Sequence, residues 1–316
     1  MDSAAAARFL VEEGADVVGV TLNLGESRCC ELSIARRICH RLHIPHYVFN
    51  VAARFEDLVV RPYVDSLMSG FTPNPCPGCN INIKFQEGLR ICDEIGADLL
   101  ATGHYARKRS VDGRWQLLEA QDRKHSQAYF LALVEQKTLG RVVFPIGDLK
   151  KDEVHRIGKG IGGDFLSNQE ICFEPELEEK EGPIIDQEGE VIGRHRGHHF
   201  YTIGQRKGLR IGGGVPLYVS KKDPIRNEVV LSGRKDLYHN RFWCNHLHWI
   251  SDEQNSGIVA RIRYQTEPVG VVIERSDRRF RITLKESRFA ITPGQLVVFN
   301  QGEVVLGGGW ITEVDA

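Results

Sequence analysis

The chain has 316 residues, 41% of them apolar and 26% charged, which excludes a disordered polypeptide and suits two or three packed domains. Its 41 Lys and Arg against 42 Asp and Glu give a net charge of -1, excluding a uniformly basic nucleic-acid binder but not a local positive face. Eight cysteines are too sparse for a disulfide scaffold, no apolar run nears the roughly 20 residues of a bilayer span, and the start lacks a secretory layout, so a cytoplasmic chain with catalytic, metal-binding or buried thiols is expected.

In chain order, a helix capped by Ser3 runs through the alanines to Glu13 and stops at Gly14, followed by a buried strand over Val17–Leu22. Leu32, Ala35, Ile38, Cys39 and Leu42 recur at helical spacing before a strand over His46–Val51. Phe85, Leu89 and Cys92 mark a further helix, and the strand Asp98–Thr102 ends at Gly103 and His104. This alternation predicts an α/β fold with a doubly wound parallel sheet, whose ligands sit at the carboxyl ends of the strands. The last seventy or so residues read as short strands, Val259–Tyr264, Val269–Glu274, Phe280–Lys285, Gln295–Asn300 and Glu303–Leu306, which suit a small antiparallel β-barrel. The expected division is a catalytic domain over 1–140 with a return segment near 165–177, a small central domain over 141–245 and the barrel over 246–316.

Between these blocks, Thr72-Pro-Asn-Pro-Cys-Pro-Gly-Cys-Asn80 holds Cys76 and Cys79 in a Pro-rich stretch expected to project them from a rigid turn, and Cys172 stands alone far downstream in Ile171-Cys-Phe173. Structural zinc normally takes four Cys or His ligands, and no second Cys pair accompanies this one; sulfur chemistry is the alternative. Cys29, Cys30, Cys39, Cys92 and Cys244 read as buried thiols. Ten Lys and Arg between Arg194 and Lys235, among them Arg206, Lys207 and Lys222, mix with His198, His199, Phe200 and Tyr201 in a basic-aromatic cluster that suits RNA phosphates or an ordinary solvated face.

Thr72-Pro-Asn-Pro75, Cys79-Asn80, Ala101-Thr-Gly-His-Tyr105, Gln127 with Tyr129-Phe-Leu131, Ile171-Cys-Phe173, Tyr201-Thr-Ile-Gly-Gln-Arg-Lys-Gly-Leu209, Thr292-Pro-Gly-Gln295 and Leu306-Gly-Gly-Gly309 occur in that order over essentially the whole chain. Together they resemble the tRNA-specific 2-thiouridylases. The resemblance implies an ATP-pyrophosphatase domain, a central domain and a β-barrel, and a reaction in which the 2-oxo group of the wobble uridine of tRNA is replaced by sulfur at the expense of ATP, with Mg2+ as the nucleotide's cofactor. It implies that Cys172 receives a persulfide from a sulfur-donor protein, and that Cys79 releases or transfers the sulfur, leaving a Cys79–Cys172 disulfide to be reduced. It places Asp2, Ser3, Leu22 and Gly103 at the nucleotide and Asn74, Pro75 and Cys76 at the target base. His104, His125, Ser126, Gln127, Arg263, Tyr264 and Gln295 fall at tRNA contacts, and Arg206 and Lys207 are expected to meet phosphates.

Two departures stand out. The family's nucleotide loop reads Ser-Gly-Gly-Val/Met-Asp-Ser after a strand, whereas this chain opens Met1-Asp2-Ser3; the expectation is that Met1 is the loop's internal methionine, that the natural protein begins upstream, and that ATP turnover by the chain as given is impaired. Cys76 stands where many relatives have aspartate, so Cys76, Cys79 and Cys172 form a trio that could ligate an iron–sulfur cluster. His125-Ser126-Gln127 also replaces a usual Lys-Asp-Gln. The rivals are an amide-forming ATP-pyrophosphatase, which has no use for Cys79 and Cys172, and a non-catalytic tRNA-binding relative.

Overall fold

The computed structural model describes residues 1–25, 32–161, 173, 175–212, 214–251 and 257–315. The front domain opens with α1 (Asp2–Glu12), β1 (Gly19–Asn23), α2 (Leu32–Arg41) and β2 (His46–Asn50). Ser3 does not cap α1: the helix starts one residue earlier, Met1 stands at the cap without a side-chain bond, and Ala4, Ala5 and Ala6 form the buried face. β1 and β2 run parallel, in register from Gly19 opposite His46 to Asn23 opposite Asn50.

Two long helical runs follow. The first joins α3 (Ala52–Phe55) and α4 (Arg61–Met68) through a π-helical stretch, Glu56–Val60. The second joins α5 (Pro75–Cys79) and α6 (Gly88–Ile95) through another, Asn80–Glu87, and ends at Gly96 in the left-handed region, φ 73°. The Pro-rich stretch therefore begins a helix instead of forming a rigid turn. Proline is tolerated in a first helical turn because the N–H it lacks would have no intrahelical acceptor there, and the Asn74 side chain caps the turn by accepting from the Cys76 N–H at 3.0 Å.

β3 (Leu100–Ala101) pairs in parallel with β6 (Val142–Val143), which follows α7 (Gln136–Arg141) and precedes α8 (Lys151–Gly160). Among the described residues of the front domain the parallel strands thus form two ribbons, β1–β2 and β3–β6. Between β3 and β6 lies a hairpin the sequence reading missed, β4 (Ala106–Val111) and β5 (Arg114–Glu119), turning at Asp112 and Gly113 with φ of 50° and 79°, the signature of a tight twisted turn.

The central domain is a four-stranded sheet in the order β8-β7-β10-β9, from β7 (Gly182–Ile185), β8 (Val191–His195), β9 (Tyr218–Asp223) and β10 (Glu228–Ser232). The barrel comprises β11 (Tyr238–Trp249), β12 (Val259–Arg261), β13 (Val269–Ser276), β14 (Arg279–Phe289), β15 (Leu296–Gln301) and β16 (Val304–Val314), and closes through β11 on β16. All five expected barrel strands are present. β11 was not anticipated, so the expected boundary at 246 falls inside a strand: its Arg, Asn and His residues hide the pattern, while Phe242 and Cys244 point inward. The hairpin β4–β5 joins the barrel sheet, Leu118 opposite Val304 and Leu117 opposite Val305. Leu296, Val298 and Val305 of the barrel share one apolar core with Phe85, Leu131 and Leu139 of the front domain.

Candidate active site

Cys76 and Cys79 lie one turn apart on α5, Cys76 exposed and Cys79 half-buried. Cys79 packs against an apolar cluster of Leu24, Val51, Phe55, Val59, Val60, Ile83 and Phe173, with Leu22 at its edge. Phe173 is held by edge-on contacts to the rings of Phe55 at 5.5 Å and Tyr63 at 5.4 Å. Cys172, the residue before Phe173, lies outside the described residues, as do Cys29 and Cys30. Cys39, Cys92 and Cys244 are buried as expected, and burial pushes all three thiols up, Cys244 to about 12, which keeps them protonated and inert.

Asn80, next to Cys79, is 3% exposed and anchors this helix from below. Its Nδ2 donates to the Phe130 carbonyl at 3.2 Å, and its Oδ1 accepts from His104 Nε2 at 3.2 Å. The other ring nitrogen of His104 accepts from Thr102 Oγ1 at 2.9 Å, and the Phe85 and Phe144 rings cover its faces. Desolvation pulls its pKa to about 3, so the ring stays neutral. In this structure the His104 side chain is enclosed and braces the helix of Cys79.

The turn before α5 is gripped from outside. Thr72 N–H donates to the Pro293 carbonyl at 2.9 Å, and the Thr72 carbonyl accepts from Gln295 Nε2 at 2.6 Å. Gly294, at φ +94°, presses so closely that a Cβ there would come within 2.9 Å of Thr72 N, which is why this turn of the barrel needs glycine. Lys222 of β9 is also buried, donating to the Phe71 carbonyl at 2.9 Å and to Thr72 Oγ1 at 3.2 Å. Lys222 thus leaves the basic-aromatic cluster, as do the buried His198, His199 and Tyr201.

Asp2, Ser3 and Gly103 come together: a Cβ on Gly103 would sit 2.5 Å from Ser3 N, so the end of β3 abuts the first turn of α1. Asp2 is paired with Lys151 at 2.9 Å. Leu22 packs against the cluster of Cys79 and Phe173.

The residues expected at RNA divide in two. Arg206 and Lys207 are exposed on a loop whose Gln205 side chain accepts from Thr202 N–H at 2.9 Å and donates to the Lys207 carbonyl at 3.1 Å. Others face inward. Arg263 donates to the carbonyls of Ile203 and Ala290 and to Thr292 Oγ1, joining barrel and central domain. Tyr264 stacks on Phe130 with ring centroids 4.5 Å apart. Ser126 is buried, accepting from Ala120 N–H at 3.1 Å; Gln127 Oε1 accepts from Tyr105 N–H at 3.0 Å; and His125 pairs with Asp122 at 2.9 Å. Asn80, Thr72, Lys151 and Lys222 were not singled out for these roles, since nothing in their local sequence distinguishes a clamp from a surface residue.

An apolar cleft of about 280 Å³ opens beside the thiol turn, between Tyr63, Phe71, Pro73, Asn74 and Gly78 on one side and Gly294, Trp310 and Thr312 of the barrel on the other. Among the described residues, no helix is long and apolar enough to cross a membrane, and no group of three His, Cys, Asp or Glu side chains could hold a metal ion.

Residues 1–176 match the family described as tRNA methyl transferase HUP domain, 172–233 the tRNA methyl transferase PRC-barrel domain, and 239–311 the aminomethyltransferase beta-barrel domain. The chain is 38% identical over 360 residues to the tRNA-specific 2-thiouridylase MnmA of Solibacter usitatus, covering 98% of this chain and 96% of that protein. It is 39% identical over 336 residues to the protein of the same name in Gloeothece citriformis, covering 98% and 96%. Against the tRNA-specific 2-thiouridylase MnmA 2 of Clostridium botulinum it is 35% identical over 339 residues, covering 99% and 96%.

Proposed function

The chain belongs to the tRNA-specific 2-thiouridylase family, and on that premise we propose that it replaces the C2 oxygen of the wobble uridine of tRNA by sulfur, with Cys79 and Cys172 as the working thiols. The observation that carries the residue assignment is that Phe173, Cys172's chain neighbour, and Cys79 pack into one apolar cluster although ninety-four positions separate them in sequence. Domains at 1–140 with the return segment, 141–245 and 246–316 fit this reading, with the barrel's first strand drawn back to Tyr238.

The chemistry asks for two activations. A carbonyl oxygen is a poor leaving group, and ATP supplies its conversion to an adenylate. The residues here that suit phosphate are the first-turn N–H groups of α1, which Gly103 lets pack against the end of β3, and the ammonium of Lys151, held beside them by Asp2. A Mg2+ accompanying the nucleotide would meet the Asp2 carboxylate. Sulfur arrives as a persulfide on Cys172, delivered by a donor protein. Cys79 as thiolate attacks the inner sulfur of Cys172, the Cys79–Cys172 disulfide forms, hydrosulfide leaves, and it displaces AMP from C2; an external dithiol then reduces the disulfide. The target base must leave its stack to reach this turn, as single-stranded loop bases can. Asn74, Pro75 and Cys76 would meet it, and Arg206 and Lys207 would neutralise phosphates.

Cys76 supports a second reading. One turn from Cys79, it could join Cys79 and Cys172 in holding an iron–sulfur cluster as the site of the sulfur atom. Iron analysis of anaerobically purified, active protein decides it: activity without iron removes this reading.

The test of the main proposal is sulfur incorporation into tRNA, with pyrophosphate release measured in parallel. Cys79→Ser and Cys172→Ser should each abolish thiolation and leave tRNA binding intact. Undiminished thiolation by either variant would overturn the proposal, and loss of tRNA binding in the wild-type chain would remove the whole reading.

A further inference from the structure

Lys222 is 8% exposed, and among the described residues its ammonium has no carboxylate partner; both of its hydrogen bonds go to the peptide that leads into α5. Burying an ammonium is costly unless its donors are used, and an unbranched apolar side chain of similar length would fill the space without that cost. What the ammonium provides is direction, because it reaches two oxygens at once, Phe71 O at 2.9 Å and Thr72 Oγ1 at 3.2 Å.

The remaining groups of that peptide are already taken. Thr72 N–H is held by Pro293, Thr72 O by Gln295 and Phe71 N–H by Ser66. Beside Lys222, a Cβ on Gly70 would lie 3.1 Å from Pro224 Cδ, and His198 Nε2 donates to the Met68 carbonyl at 3.1 Å. The edge of the central sheet therefore lies along residues 68–72, and Asn74 starts the helix of Cys76 and Cys79 two residues later.

We propose that Lys222 is a positioning residue for the sulfur-transfer turn, coupling the central domain to the orientation of Cys76 and Cys79 through the Phe71–Thr72 peptide. The thiols' role in thiolation rests on the function proposed above; the positioning itself does not, and the two are tested separately. Burial draws the Lys222 pKa down to about 8, which marks how far the ammonium is removed from water.

The experiment follows alkylation of each cysteine by iodoacetamide, read by peptide mass spectrometry in the full chain without tRNA or ATP. In Lys222→Met, alkylation of Cys76 and Cys79 should change about tenfold, the size expected for losing a buried charge-assisted bond, while Cys39, Cys92 and Cys244 stay unreactive as internal reporters of folding. Lys222→Arg should restore part of the wild-type pattern. Thr72→Val, which removes only the Oγ1 acceptor, should shift the same two thiols less and in the same direction, and it serves if Lys222→Met does not fold. In thiolation, kcat should fall about tenfold with KM for tRNA little changed. Wild-type alkylation of Cys76 and Cys79 in folded Lys222→Met, or in Thr72→Val, would overturn the proposal. So would a parallel rise at all five cysteines, since that reports general loosening. Altered alkylation with thiolation unaffected would keep the positioning role and refute the function assigned to the turn.

Discussion

The barrel and the thiol turn are held in opposite ways. The barrel's strands hydrogen-bond one to the next until β11 meets β16, and its interior, Phe242, Ile282, Phe299 and Ile311, is supplied by its own residues. The turn at 70–79 has no ladder: its peptide groups are held by Pro293 and Gln295 from the barrel and Lys222 from the central sheet, and its helix by Asn80 and His104 from below. Regular structure specifies itself locally. A reactive turn that must leave its polar thiols accessible cannot bury itself, so its order is imposed by neighbours far away in sequence.

Paired glycine substitutions test this contrast most severely. Gly294→Val in the clamp and Gly307→Val in the barrel both force a branched side chain into a positive-φ position, at +94° and +156°, with close backbone atoms in the way. Each should cost about 3 kcal/mol or more in urea unfolding. Only Gly294→Val should also change the reactivity of Cys76; if Gly307→Val does so equally, the turn is not independently clamped.

Acid offers the next test. His104 has its folded pKa drawn down to about 3 from an ordinary 6.5, so the unfolded chain binds a proton that the folded one refuses between those values. The stability this neutral ring allows is complete above pH 6.5 and declines as pH falls toward 3. The unfolding midpoint of the wild type should drop more steeply between pH 7 and 5 than that of His104→Gln; parallel profiles would mean that the ring is not shielded. Gln295→Ala, which removes one 2.6 Å bond to the Thr72 carbonyl, should cost about 1 kcal/mol of stability and about tenfold in kcat. The smallest effect belongs to the exposed loop: Arg206→Ala with Lys207→Ala should reduce the salt dependence of tRNA binding by about one to two phosphate contacts, leaving kcat at saturation near wild type.

How legible this was from sequence follows the same division. Barrel strands and the front βα alternation carry their own periodicity, and five barrel strands and the first two front strands were readable within a few residues. β11 was not, because its inward positions are few and its outward ones are Arg, Asn and His. The thiols were conspicuous by residue type. Their scaffold was hidden: the bonds of Gln295 to the Thr72 carbonyl and of Arg263 to the Ala290 carbonyl could not be read, because an isolated polar side chain does not disclose which distant carbonyl it reaches. Asn80 and Lys222 act across fifty to one hundred and fifty positions of chain, a separation no local pattern encodes.

The hairpin that the front domain lends to the barrel has a mechanical corollary. With Leu117 and Leu118 laddered onto Val305 and Val304, the hairpin of the front domain and the barrel are parts of one continuous sheet and cannot separate without breaking backbone hydrogen bonds.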